Sequence, residues 1–162
     1  MTVATKCHPH QIVRHPLLIT VVLPTSLLFL LAAWSPPLVY HNLSDWYGSW
    51  QQSMFAFVCH QQLDRTFFIH GIPLAVCSRC TGIYTGLFFG LLFFSFFTDF
   101  VKKTEHYINR VFFTLSFVVL LDGCANLLQF WQTTPELRLL TGGVWAVSTG
   151  AVLVRALNIP RK

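Results

Sequence analysis

Three cysteines and a histidine stand out by type and spacing. The stretch Cys59-His60-Gln61-Gln62 is followed by Arg65 and Gly71, then by Cys77-Ser78-Arg79-Cys80-Thr81-Gly82. A Cys-x-x-Cys pair at a helix start turns both sulfurs to one side, with Tyr84 one turn further along the stripe. The helix amino terminus and the guanidinium of Arg79 both favour thiolates there. Thiolates serve two chemistries. As ligands, Cys59, His60, Cys77 and Cys80 suit tetrahedral Zn²⁺ or a softer ion such as Cu(I). Adjacent residues such as Cys59 and His60 rarely bind one ion together, so a three-ligand site with an open position fits equally well. As redox groups, Cys77 and Cys80 form a reversible disulfide with Cys59 as the resolving thiol, and a quinone or a periplasmic thiol protein as exchange partner. A third outcome carries no chemistry: Cys59 bridged to Cys77 or Cys80 staples a loop and leaves one odd thiol. The spacing does not choose among the three. A second group, Cys7-His8-Pro9-His10 with His15, reads as chance in a terminal tail. Cys124 reads as a small packing residue.

A second constellation is polar and lies within apolar sequence. Asp122, Asn126 and Gln129 recur at i, i+4 and i+7 and so share one helix face. An ionised carboxylate in hydrocarbon needs a partner, and Arg138 or Arg79 is expected to supply it. Arg138 and Thr141 open the next apolar run. These residues are expected to converge with the cysteines in one polar pocket.

The elements that must hold these groups follow from composition. The 162 residues are 54% apolar and 10% charged, with 11 basic and 6 acidic side chains. A soluble domain has about 25% charged residues. A soluble enzyme, a disordered chain and a nucleic-acid binder are therefore excluded, and the chain reads as an integral membrane protein. The net charge of +5 comes from residues flanking apolar runs, so it reads as a topology signal. A bilayer core needs about 20 apolar residues of helix. Four runs qualify or come close: 17–34, 81–98, 111–131 and 139–154. They predict an all-α, four-helix membrane bundle over 17–155, with tails at 1–16 and 156–162. The first run is too long, and Leu31-Ala32-Ala33 too poor a cleavage site, for a removed signal peptide.

With alternating spans, Lys6, Arg14, Lys102, Lys103, Arg110, Arg155, Arg161 and Lys162 fall on one side. Arg65, Arg79 and Arg138 fall on the other. The positive-inside rule then places both termini in the cytoplasm of an inner (plasma) membrane, and the cysteine-bearing loop 35–80 outside. Within that loop, Trp34-Ser35-Pro36-Pro37 stops the first helix. Asn42 or Ser44 is expected to cap an amphipathic interfacial helix carrying Trp46, Trp50, Met54 and Phe57. Gly82, Gly86 and Gly90 form a stripe of small residues, as do Gly142, Ala146 and Gly150. Such stripes let helix backbones approach closely in lipid. They are expected to mate the two parallel spans, or else to join two copies of the chain.

These residues resemble a bacterial family of small membrane proteins, domain of unknown function two-thousand-eighty-five. Its signature is similar to Cys59-His60-Gln61, Arg65-Thr66-Phe67, Gly71 and Cys77-Ser78-Arg79-Cys80-Thr81-Gly82-Ile83-Tyr84-Thr85-Gly86 here. The resemblance extends to Asp122-Gly123 and to Arg138-Leu139-Leu140-Thr141-Gly142, and covers roughly residues 50–155. Ala75 stands where a proline is common and Asn126 where a glutamine is common. The shorter Asn126 trims one polar arm of the expected pocket. The resemblance implies the membrane fold and the choice of residues, and it implies no activity.

The sequence reading is thus a membrane protein with an outward Cys/His site for zinc or copper. Its rivals are a thiol–disulfide oxidoreductase and a non-catalytic scaffold. No nucleotide loop, serine triad or paired catalytic carboxylates are present.

Overall fold

A computed structural model describes residues 18–42, 49–128 and 133–158. The chain is mostly helical. A π-helical turn, Leu18–Val22, runs into α1 (Leu23–Trp34). Among the described residues, the short helices α2 (Pro36–Val39) and α3 (Trp50–Phe55) follow. A hairpin pairs β1 (Phe68–Ile69) antiparallel with β2 (Ile72–Pro73). Then come α4 (Ser78–Phe96), α5 (Thr98–Lys103), α6 (Glu105–Leu127) and α7 (Pro135–Asn158).

Three of these helices, α4, α6 and α7, are long and apolar enough to cross a membrane. The expected first span is represented by the shorter apolar helix Thr20–Trp34, and the residues before Leu18 lie outside the described part. The expected limits of the last span are corrected outward on both sides. In sequence the apolar run ends at Arg138 and Arg155, where charge is costly in hydrocarbon. The helix continues past both because each has partners: Arg138 bonds Asn126 and Thr133, and Arg155 bonds Glu105 and Asn109. The second span begins at Ser78, three residues before the expected Thr81, and breaks at Phe97.

The glycine stripes mate within the chain. A Cβ on Gly86 would run into the Gly143 carbonyl, and one on Gly90 would come within 2.9 Å of Val147. A Cβ on Gly150 would come within 2.9 Å of the Gly90 backbone. The parallel helices α4 and α7 therefore touch backbone to backbone, and Gly82, Gly86 and Gly90 are buried there rather than turned to a second copy. Gly143, which the stripe pattern passed over, completes this seam. Gly86→Val is expected to cost at least about 2 kcal/mol, because neither helix backbone can yield. Gly143→Ala, whose Cβ would meet nothing nearer than 3.6 Å, is the matched control. Thermal unfolding in detergent reads both; equal effects would sink the seam argument.

Around this pair, α1 lies antiparallel to α4, with Phe29 stacked on Tyr84 at 5.8 Å and Leu18 packed against Leu91. On the other side α6 runs antiparallel to α7. Trp145 stacks on Phe112 and its Nε1 donates to Ser116 Oγ at 2.8 Å. Otherwise α6 presents Phe113, Phe117, Leu120 and Leu121 outward, as a helix facing lipid does.

The loop before α4 departs from expectation in two ways. First, the helix Trp50–Phe55 is capped by Ser49, whose Oγ accepts the Gln52 N–H at 3.2 Å; Ser44 and the stretch after Asn42, where the expected cap would act, lie outside the described residues. Ser49 offers the same short hydroxyl acceptor one residue before the helix. The helix buries Gln51 and Phe55 while Trp50, Met54 and Phe57 stay exposed; Trp46 lies outside the described residues. Second, the chain is not purely all-α. His70 and Gly71 both have positive φ, 53° and 79°, which a tight hairpin turn demands. The Ile69-His70-Gly71-Ile72 run held that signal. Gly71→Val is expected to destabilise by about 1 kcal/mol through backbone strain, since a Cβ there meets no neighbour within 4 Å. An unchanged melting temperature in detergent would refute it.

Candidate metal centre

The hairpin delivers its strand to the end of α1. Ala75 N–H donates to the Ala33 carbonyl at 3.1 Å, and Leu74 N–H to Phe67 at 3.0 Å. Gln61, with φ 48°, donates through Nε2 to the carbonyls of Gln52 and Ala75, both at 3.0 Å. That one amide ties α3 to the segment entering α4. It holds Cys59, two residues before it, beside Cys77. Along the sequence Gln61 is only a motif letter; its role follows from contacts 9 and 14 residues away.

Cys77 is the N-cap residue of α4 in extended conformation, and Cys80 sits on the first turn. The sulfurs of Cys59, Cys77 and Cys80 all lie within 4.8 Å of one another. All three cysteines are free. Around them pack Ala32, Ala33, Phe55, Ala75 and Val76, with Phe29 and Tyr84 alongside. Cys77 N–H donates to Cys59 Sγ at 3.2 Å. Hydrogen bonds from the Cys59 and Cys80 thiols, and from the backbone N–H groups of Cys80 and Arg79, hold the Cys77 thiol well below its ordinary range. Cys59 is pushed up, chiefly because its proton is shared with the Cys77 sulfur and also because it is buried. The group therefore favours one thiolate stabilised by two thiols, or three thiolates around a cation.

The donor set fits a soft or borderline metal ion. Sulfurs bound to one tetrahedral zinc at about 2.3 Å stand about 3.8 Å apart, so only a small closing movement is needed. The N–H donated to a ligand sulfur is the kind of outer contact that orients a ligand. His60 is not among the converging donors. It is exposed and lines the same cavity as the three cysteines. The tail group at residues 7–15 lies outside the described residues, and Cys124 is exposed on α6.

Next to the sulfurs the polar constellation assembles as a relay. Arg79 is bonded to Asp122 through Nη2 and Oδ2, which answers the choice between Arg79 and Arg138. Asn126 Nδ2 donates to Asp122 Oδ1 at 3.0 Å and to the Asp122 carbonyl at 2.7 Å. Its Oδ1 accepts from Arg138 Nη2 at 2.5 Å. Thr133, which sequence reading missed, accepts from Arg138 Nε at 2.9 Å and bonds Asn126. Thr141 stays outside this relay and donates to the Arg138 carbonyl at 3.2 Å. Gln129 lies outside the described residues. Gly142 makes room for Arg79: a Cβ there would come within 2.5 Å of the Arg79 carbonyl, whereas one on Gly123 would stand in ordinary contact, 3.6 Å from its guanidinium.

Comparison with known proteins agrees with this architecture. Residues 59–152 match the family described as "Predicted membrane protein (DUF2085)", a segment that opens on Cys59 and closes in α7. An uncharacterised protein of Methanocaldococcus jannaschii is 33% identical over 93 residues, which is 56% of this chain and 57% of that protein. An uncharacterised protein of Methanothermobacter thermautotrophicus is 33% identical over 90 residues, 54% of this chain and 77% of that protein. The chain thus spans a little over half of the first relative. No solved structure matches. With more than half its length inside the matched segment, triad and relay included, the chain belongs to the DUF2085 family of membrane proteins.

Proposed function

We propose that this protein is a four-span membrane bundle whose Cys59, Cys77 and Cys80 bind a transition metal ion, zinc or copper(I). The observation that carries the reading is the convergence of three free sulfurs within 4.8 Å, one from a loop and two from a helix start. Three thiolates leave a tetrahedral ion one open position, which His60 or an outside ligand takes. When bound, such an ion supplies a Lewis-acidic centre. The excess of Lys and Arg on the opposite side supports both termini in the cytoplasm and the cysteines facing outward from the inner (plasma) membrane.

A second reading has its own support. The hydrogen bonds that Cys77 receives from Cys59 and Cys80 favour its thiolate beside two further thiols, as a thiol–disulfide exchange centre requires. An apolar cavity of about 680 Å³ runs from Met54 and Val58 past Tyr84 to Leu91, and it suits a quinone ring. Metal analysis and thiol titration of protein purified anaerobically in detergent without chelator separate the two. About one equivalent of zinc or copper, with the three thiols protected from alkylation until chelator is added, is the expected result. Absence of metal with thiols that cycle under a mild dithiol would overturn it in favour of exchange. A bridge resistant to dithiol would leave a scaffold with a staple.

A further inference from the structure

The three cysteines form one wall of a cavity of about 290 Å³. Arg65, Arg79 and Arg138 line it as well. Three like charges around so small a space repel one another and call for counter-charge. The protein supplies it only in part. Asp122 engages Arg79. Asp64 meets Arg65 at 3.4 Å, but its side chain is 72% exposed and is not part of the cavity wall. Arg138 is 7% exposed, and the hydrogen bonds of its guanidinium go to neutral acceptors, Asn126 and Thr133. Among the described residues no carboxylate pairs with it. Arg79 also keeps its Nε buried without a hydrogen-bond partner among the described residues.

Thiolates could balance these cations. With a divalent ion among the sulfurs, two of their three charges are spent on the metal and the cavity is left positive. We propose that the cavity binds an oxyanion of the phosphate type, gripped by Arg65 and Arg138, beside the open position of the metal. Planar guanidinium forks match the oxygens of such a group two at a time. His60, exposed at the same cavity, adds a further donor. The charge count rests on the metal reading above; the arginine geometry does not. A free phosphate and a phospholipid headgroup present the same oxygens.

Calorimetric titration of the full chain in detergent tests this, with inorganic phosphate and with a short-chain phosphatidic acid as separate probes. Saturable binding of one or both is expected, weakened about tenfold or more by Arg65→Gln and by Arg138→Gln. Arg65 sits in the 3₁₀ turn Leu63–Arg65 and anchors no long helix, so Arg65→Gln reports on binding even where Arg138→Gln disturbs folding. Binding of phosphatidic acid alone assigns the site to a lipid headgroup; binding of inorganic phosphate assigns it to a soluble anion. No saturable binding of either probe, or binding indifferent to Arg65→Gln, overturns the proposal. Metal content is read on the same samples. Metal without anion binding sinks the anion site only, and anion binding without metal sinks the metal reading only.

Discussion

Cys59→Ser is expected to lower metal affinity by about a hundredfold or more, although Cys59 lies far from the Cys-x-x-Cys pair in sequence. Loss of an outer-shell contact alone costs a metal site about 10–100-fold, and this change removes a ligand itself. Serine keeps the size and a hydrogen-bonding atom, so the N–H of Cys77 retains a partner where it now meets Cys59 Sγ at 3.2 Å. The surrounding core of Ala33, Phe55 and Val76 sees little change in volume. The readout is competition with a chromogenic chelator, wild type beside variant. A Cys59→Ser protein that competes as strongly as wild type would confine the ion to Cys77 and Cys80 and remove the triad. Gln61→Ala is the sharper companion. It leaves every ligand in place but cuts the amide that spans Gln52 and Ala75, and a smaller loss of affinity is expected from it.

The second large effect concerns the ion pair at the cysteine end. Asp122→Asn is expected to destabilise the protein by about 2–3 kcal/mol, because Arg79 then stays charged without its counter-ion. The two side chains keep 21% and 16% of their exposure, which places the effect below that of a fully buried pair. Arg79 would also lose its tether and disturb the first turn of α4, where Cys80 lies. Arg79→Gln combined with Asp122→Asn is expected to recover part of the loss, since two neutral amides can bond each other. Unfolding of all four proteins in detergent closes the cycle. A double variant no better than the sum of the singles would show that the two groups act separately.

Much of this molecule was legible along the chain. Low charge and long apolar runs dictate membrane helices, because nothing else satisfies backbone groups in hydrocarbon. The Gly82-Gly86-Gly90 spacing carried the α4–α7 seam, since a four-residue period puts small residues on one face. The Cys-x-x-Cys spacing carried two of the three sulfurs. Helix ends were less legible: the apolar run stops at Arg138, but the helix does not. A charge ends a span only when it lacks a partner, and partners such as Asn126 and Thr133 are brought by folding.

Three things were decided only in three dimensions. Arg79, rather than Arg138, pairs with Asp122, while Arg138 turns to Asn126 and Thr133. Cys59 joins the sulfurs while the adjacent His60 remains exposed. Arg65, which the sequence offers only as a motif letter and a topology marker, joins Arg79, Arg138 and the cysteines at one cavity. Local pattern sets which residues are helical and which are apolar. Whether a charged side chain meets a carboxylate, an amide or an empty space depends on helices distant in sequence, and no local period records that.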